Sequence, residues 1–220
     1  CVLSVPAGMD EAAQQRVSQA AQAGGIRIKS FINDDIAALM AYGLDEASLA
    51  TSVVVVADMG WSKTTVGVYR ISGGLFFPLS TVSTTQVCGK LFVSLFSEWC
   101  AKDFTKKFKI PVQESTKSMT RLRRECEQAM KSLSTGAEAM IDIDSLCEGQ
   151  DYSVKISRAR FEDIVLTQFM HLKTTIKSSL EASGMEAAAI NKVCMSGGIC
   201  AMPKVNAIVK TMLPSATVIN

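Results

Sequence analysis

The chain has 220 residues, 48% of them hydrophobic, with 23 Lys and Arg against 21 Asp and Glu. That composition can fill one large core or two small ones, and a net charge of +2 is too balanced for a nucleic-acid footprint or a polybasic membrane patch. The longest aliphatic run, Val53 to Ala57, is far below the ~20 residues of a membrane span and reads as a strand buried on both faces.

Taken in chain order, residues 1–50 alternate strand, helix, strand, helix. Val2–Val5 makes a strand with no basic leader before it, as if the chain were entered midway through a sheet. Asp10 can cap a helix over Glu11–Ala23, which Gly24-Gly25 stops. Ile26–Lys29 is expected to be a short strand, and Asn33 or Asp34 to open a helix ending at Tyr42-Gly43. The alternation indicates a parallel α/β unit.

The rhythm changes at residue 51. Strands are expected at Ser52–Ala57, Lys63–Arg70 and Gly74–Val82, joined by turns at Gly60 and Gly73-Gly74 that make antiparallel hairpins. Helices over Lys90–Phe108 and Glu114–Leu133 follow, then strands over Ala137–Ser145 and Asp151–Ser157. One long helix over Arg158–Ser183, a buried strand at Lys192–Ser196, a helix over Met202–Met212 and a strand at Thr217–Asn220 complete the chain. Three antiparallel strands followed by helix and strand units, with a subdomain inserted after the third strand, is the order of a ribonuclease-H-like lobe. Two such lobes facing each other make the actin-like clamp. The expected division is therefore the βαβα tail of a first lobe (1–50), second-lobe strands and turns (51–89), an inserted α+β subdomain (90–157) and the rest of the second lobe (158–220).

Seven scattered cysteines without a C-x-x-C pair fit a reducing cytosol better than a disulfide framework or a zinc centre. The single histidine, His171, gives a Ser-His triad little to work with. Phosphate chemistry has better candidates. Tight glycine turns let backbone N–H groups approach anionic oxygens, and a carboxylate can hold Mg²⁺ directly or through water. Asp58-Met-Gly60, Cys88-Gly89 and Gly197-Gly198 each stand at a strand end of the same lobe.

At these residues the chain resembles the 70-kDa heat-shock chaperones. Val5-Pro-Ala7, Ile32-Asn-Asp34, Ala41-Tyr-Gly-Leu44, Arg121-Leu-Arg123, Cys126-Glu127, Ile143-Asp-Ser-Leu146, Ser157-Arg-Ala-Arg-Phe161, Ser196-Gly-Gly198 and Pro203-Lys204 look like that family's nucleotide-binding domain, in the family's order. Leu133-Ser-Thr135, Glu148-Gly-Gln-Asp151 and Ile190-Asn-Lys-Val193 are phrased like the divergent, ribosome-associated members. The resemblance implies ATP or ADP with Mg²⁺, a J-domain co-chaperone, a nucleotide-exchange factor and a cytoplasmic setting in protein folding and stress response. It assigns nucleotide contacts to Asp58, Gly60, Gly89, Glu127, Lys131, Ser134, Gly197 and Gly198, with Asp58 facing Mg²⁺ through water.

The departures are concentrated at the same places. The family's D-x-G-G-G-T-x-D is Asp58-Met-Gly-Trp-Ser-Lys-Thr-Thr65 here, so Trp61 and Ser62 replace glycines, Lys63 a threonine and Thr65 a carboxylate. The family's L-G-G-E-D is Val87-Cys-Gly-Lys-Leu91. Met130 and Lys131 stand for a lysine and an arginine, and Ala201 for the arginine that would stack on adenine. The first phosphate loop and catalytic lysine of the family would lie upstream of Cys1. The leading expectation is a regulator or scaffold with weak or no ATP hydrolysis, and no nucleotide bound by these residues alone. An active ATP-driven chaperone in the full-length protein, or a nucleotide-free adaptor, are the alternatives. Trp61 discriminates: packed inside the cleft it closes the phosphate site, and exposed it is an anchor for a partner.

Overall fold

The computed structural model describes residues 1–44 and 51–219, so the expected boundary at residue 50 and the strand end at Asn220 lie outside the described residues. Val2–Val5 (β1) pairs in parallel with Ser30–Asn33 (β2), with Val2 opposite Ser30 and Val5 opposite Asn33. Between them runs Glu11–Ala23 (α1), whose N-cap Asp10 accepts from Ala13 N–H at 2.6 Å. The strand expected at 26–29 is displaced to 30–33. Gly25 turns with φ +77°, and Ile26 N–H folds back on the Ala21 carbonyl at 2.8 Å. The apolar Ile26 and Ile28 are thus spent on leaving α1 rather than on the sheet. Asp34–Ala41 (α2) follows, with Asn33 at the N-cap position but without a side-chain capping bond.

The rest of the chain runs β3 (Ser52–Met59), β4 (Thr64–Ser72), β5 (Leu75–Thr84), α3 (Gly89–Phe108), α4 (Thr116–Thr135), β6 (Glu138–Cys147), β7 (Gln150–Ser157), α5 (Arg158–Ile164), α6 (Leu166–Ser183), β8 (Lys192–Ser196), α7 (Pro203–Met212) and β9 (Thr217–Ile219). The main sheet has the order β5-β4-β3-β8-β9, antiparallel on the β5-β4-β3 side and parallel on the β3-β8-β9 side. β6 and β7 form a separate antiparallel hairpin.

The valine run of β3 is apolar throughout because each face meets a different layer. Val55, Ala57 and Met59 belong to the main core with α3, α6 and α7, whereas Val54 and Val56 pack with Leu39 of α2. Two helices differ from expectation. α4 starts at Thr116 rather than Glu114, because Ser115 provides the cap by accepting from Ser118 N–H at 3.2 Å. The helix expected from Arg158 to Ser183 is broken at Val165, a fully buried β-branched residue at φ −106°, ψ 19°, after which Gln168 N–H bonds the Val165 carbonyl.

Aromatic edges tie α3 to its neighbours: Phe92 meets Phe161 of α5 and Phe169 of α6, and Phe104 meets Tyr152 of β7, at centroid distances of 5.7–6.4 Å. Arg158 adds two bonds to the end of α4, to the carbonyls of Leu133 at 2.8 Å and Gly136 at 2.6 Å. The seven cysteines are free thiols.

One buried polar contact joins the first unit to the main sheet. Asp35 of α2 and Tyr69 of β4 are both almost wholly buried, and the Tyr69 hydroxyl donates to the Asp35 carboxylate. The Tyr69 ring has room because Gly67 lies beneath it, where a Cβ would meet Tyr69 Cε2 at 2.6 Å. Nearby, the Tyr42 hydroxyl donates to the Met195 carbonyl of β8 at 3.0 Å.

Candidate functional site

β3 ends beside two strands, which place Asp58 opposite Thr65 of β4 and Ser196 of β8. Burial pushes the Asp58 carboxyl above its ordinary value; a hydrogen bond from Ser196 opposes that, Asp34 and Asp35 across the α2 junction reinforce it, and Lys63 offsets it. Thr65, where the resemblance expects a second carboxylate, is buried, and its hydroxyl is bonded to that of Ser83 at 2.9 Å.

The turn from β3 to β4 is closed by backbone bonds. Gly60 N–H donates to the Lys63 carbonyl at 3.0 Å. The first amides of α3 then dock on the same turn: Gly89 N–H to the Gly60 carbonyl at 3.1 Å, and Lys90 N–H to the Trp61 carbonyl at 2.9 Å. Gly89 lets the Trp61 ring lie close, since a Cβ there would sit 2.9 Å from Trp61 Cε3 and the ring would have to shift. The indole of Trp61 is nonetheless 52% exposed. Trp61 is thus half exposed, with its ring against Gly89 at the start of α3.

Gly197 approaches the hairpin from the other side. It has φ +91°, and a Cβ would fall 2.2 Å from the Met59 carbonyl oxygen, so only glycine fits. Its neighbour Gly198 faces open space. The short turn after Gly197 is held by Cys200, whose thiol donates to the Ser196 carbonyl at 2.8 Å and is pushed up to about 12 by burial, with Asp58 adding to the effect.

Asp58, Gly60, Gly89 and Gly197 are thus brought together at one end of the sheet, with Gly198 on the outer side of the same turn. Glu127, Lys131 and Ser134 are grouped on α4. Glu127 and Lys131 form an ion pair at 2.7 Å, and the Ser134 hydroxyl bonds within its own helix to the Met130 carbonyl at 3.3 Å. Met130 is turned inward, and the cavity it shares with Leu133, Pro203 and Lys204 has about 10 Å³, room for a single water. Lys204 is occupied by Glu162 at 3.9 Å. Sequence reasoning did not identify Ser196, Cys200 or the Asp34-Asp35 pair as neighbours of Asp58. Only the parallel β3–β8 register and the packing of α2 bring them there, and no local spacing signals either.

Among the described residues no three Asp, Glu, His or Cys side chains cluster as a metal site, and no helix is long and apolar enough to cross a membrane. The profile of the Hsp70 protein family matches residues 1–218. A heat shock protein of Pyricularia oryzae is 32% identical over 205 residues, covering 93% of this chain and 33% of that protein. Heat shock 70 kDa protein 14 is 31% identical in Homo sapiens and 32% in Danio rerio, each over 100% of this chain and covering 43% and 44% of those proteins. The chain therefore spans between a third and under half of the length of these curated relatives. With a family match over nearly its whole length and the actin-like order of its strands and helices, the chain belongs to the Hsp70 family.

Proposed function

We propose that this chain is part of the nucleotide-binding domain of a divergent Hsp70-type chaperone whose phosphate turn is degenerate. The role that follows is regulatory or scaffolding, with weak or no ATP hydrolysis. The observation that carries this reading is the docking of α3 on the hairpin turn. A phosphate loop works by presenting N–H groups to anionic oxygens, and here the amides of Gly60, Gly89 and Lys90 are already bonded to carbonyls at 3.0, 3.1 and 2.9 Å. Charge argues the same way. Burial raises the Asp58 carboxyl above its ordinary value, and Thr65, where the family has a second carboxylate, contributes a hydroxyl held by Ser83. Those residues do not fit a Mg²⁺-bound triphosphate, so no hydrolytic step is drawn through it.

Hsp70 proteins generally bind ATP or ADP with Mg²⁺ and work with co-chaperones. We assign ATP or ADP with Mg²⁺ to the intact protein, with weak or no hydrolysis, and no bound nucleotide to these 220 residues alone. A J-domain co-chaperone, a nucleotide-exchange factor, a ribosome-associated setting in the cytoplasm and the fourfold division at 50, 89 and 157 belong to the same proposal. The experiment is single-turnover ATP hydrolysis by the full-length protein beside Trp61→Gly, Ser62→Gly, Lys63→Thr and Thr65→Asp, singly and combined. The singles should restore little and the combination more than their sum, because the turn acts as one unit. An ordinary chaperone rate in the unmodified protein, abolished by Asp58→Ala, would overturn the proposal.

A further inference from the structure

Beside the closed turn lies an open groove of about 530 Å³ between the start of α3 and the middle of α4. Its floor is apolar at Val93, and Trp61 forms one wall. Lys90, Arg123 and Arg124 surround it, all exposed, and none of the three makes an ion pair among the described residues. The one carboxylate on the groove, Glu127, is taken by Lys131 at 2.7 Å.

We propose that this groove docks an acidic peptide segment of a partner protein, with an apolar side chain seated against Trp61 and carboxylates paired with Lys90, Arg123 and Arg124. Charge complementarity argues for this occupant. Three unpaired cations beside an exposed indole leave a local positive excess on a chain whose net charge is only +2. A nucleic-acid backbone needs a basic stripe extending well beyond one groove. A peptide of alternating carboxylates and aliphatic side chains needs only a few cations around one anchoring pocket. Trp and Arg are also the side chains that most often carry binding energy at such an anchor. The volume lies within the range of ~300–1,000 Å³ that holds a well-buried ligand, enough for one or two side chains of a segment lying across it. The backbone of Trp61 is anchored at the groove, its carbonyl accepting from Lys90 N–H, and its ring lies beside Gly89.

The proposal rests on the reading that the Trp61 turn no longer serves a phosphate, so the test separates the two. Fluorescence anisotropy of a labelled Glu-Leu repeat peptide is measured on the full-length protein, with a Lys-Leu repeat and ATP as separate probes. The acidic peptide should bind and the basic one should not, with affinity falling as salt rises. Arg123→Glu with Arg124→Glu should weaken binding about tenfold or more. Arg123→Gln with Arg124→Gln should weaken it less, Trp61→Ala several-fold, and Lys102→Glu elsewhere on α3 should leave it unchanged. Equal binding of both peptides, or indifference to the Arg123 and Arg124 changes in variants with an unaltered unfolding transition, would overturn the docking site. Tight ATP binding lost in Asp58→Ala but retained in the arginine variants would instead sink the degenerate-turn reading and leave the groove standing.

Discussion

Replacing Tyr69 by Phe should destabilise the chain by about 3 kcal/mol, and the loss should be felt first by α2. The Tyr69 hydroxyl is the group that satisfies one oxygen of a carboxylate only 2% exposed, and the other oxygen accepts from Ile36 N–H at 2.9 Å. Removing the hydroxyl forfeits a charge-assisted hydrogen bond worth about 1.5–3 kcal/mol and leaves a buried charge half satisfied, which sets the total near 3 rather than 1 kcal/mol. For a chain of this size the melting temperature should drop by roughly 6–12 °C. Asp35→Asn keeps an acceptor in place and should cost about 1 kcal/mol. The double change Asp35→Ala with Tyr69→Phe should cost less than the sum of its singles, with a coupling of about 1.5–3 kcal/mol. Burial, then the bond to Asp35, raises the Tyr69 hydroxyl above its ordinary value of 10.0. The folded protein therefore keeps this proton where the unfolded chain has lost it. The contribution is complete below about pH 10 and declines as pH rises toward the folded value, so the parent should lose stability at alkaline pH more steeply than Tyr69→Phe. Urea unfolding read by far-ultraviolet circular dichroism, with hydrogen exchange on α2, measures all of this. A Tyr69→Phe variant within about 0.5 kcal/mol of the parent, or strictly additive singles, would refute the reasoning.

Other outcomes are as specific. Gly197→Ala should cost about 3 kcal/mol or more, because its Cβ would strike the Met59 carbonyl and the backbone has positive φ; an unfolding midpoint unchanged from the parent would contradict that. Asp58 has a folded value raised above 3.8, so its protonated form favours folding below that pH and the benefit is lost as pH rises through the folded value. Asp58→Asn should accordingly be more stable than the parent at neutral pH and gain nothing in acid, as paired urea titrations would reveal. Hydrogen exchange should protect Val54–Ala57 and Val193–Met195, central in the main sheet, far better than Val2–Val5, which pairs with β2 alone among the described residues.

Much of this architecture was legible wherever pattern and packing agree. The strict run of valines announced a strand covered on both sides, and the Asp10 and Gly24 signals marked both ends of α1 within a residue. Reading failed where tertiary structure overrides pattern. Ile26 and Ile28 look like strand residues but follow a helix that closes on Ile26 N–H, so the parallel pairing with β1 starts only at Ser30. Nothing in the Arg158–Ser183 stretch announces a break, since Val165 leaves the helix for its core position without a proline or glycine. At the site, the glycines declared themselves through the turns they must make. Asp35 and Tyr69 did not, being separated by 34 positions and joined only when α2 packs on β4.

The meeting of Cys100 and Cys126 has a use that is independent of nucleotide. Their sulfurs lie 3.8 Å apart, one on α3 and one on α4, and both residues are wholly buried. The bond to Cys100, aided by burial, holds the Cys126 thiol far above the range in which it ionises at neutral pH. An alkylating reagent can reach this pair only after the two helices separate, whereas Cys1 reacts at once from the surface. The lag between the two labels is a clock built into the chain, and its ticks are the openings of the α3–α4 pair.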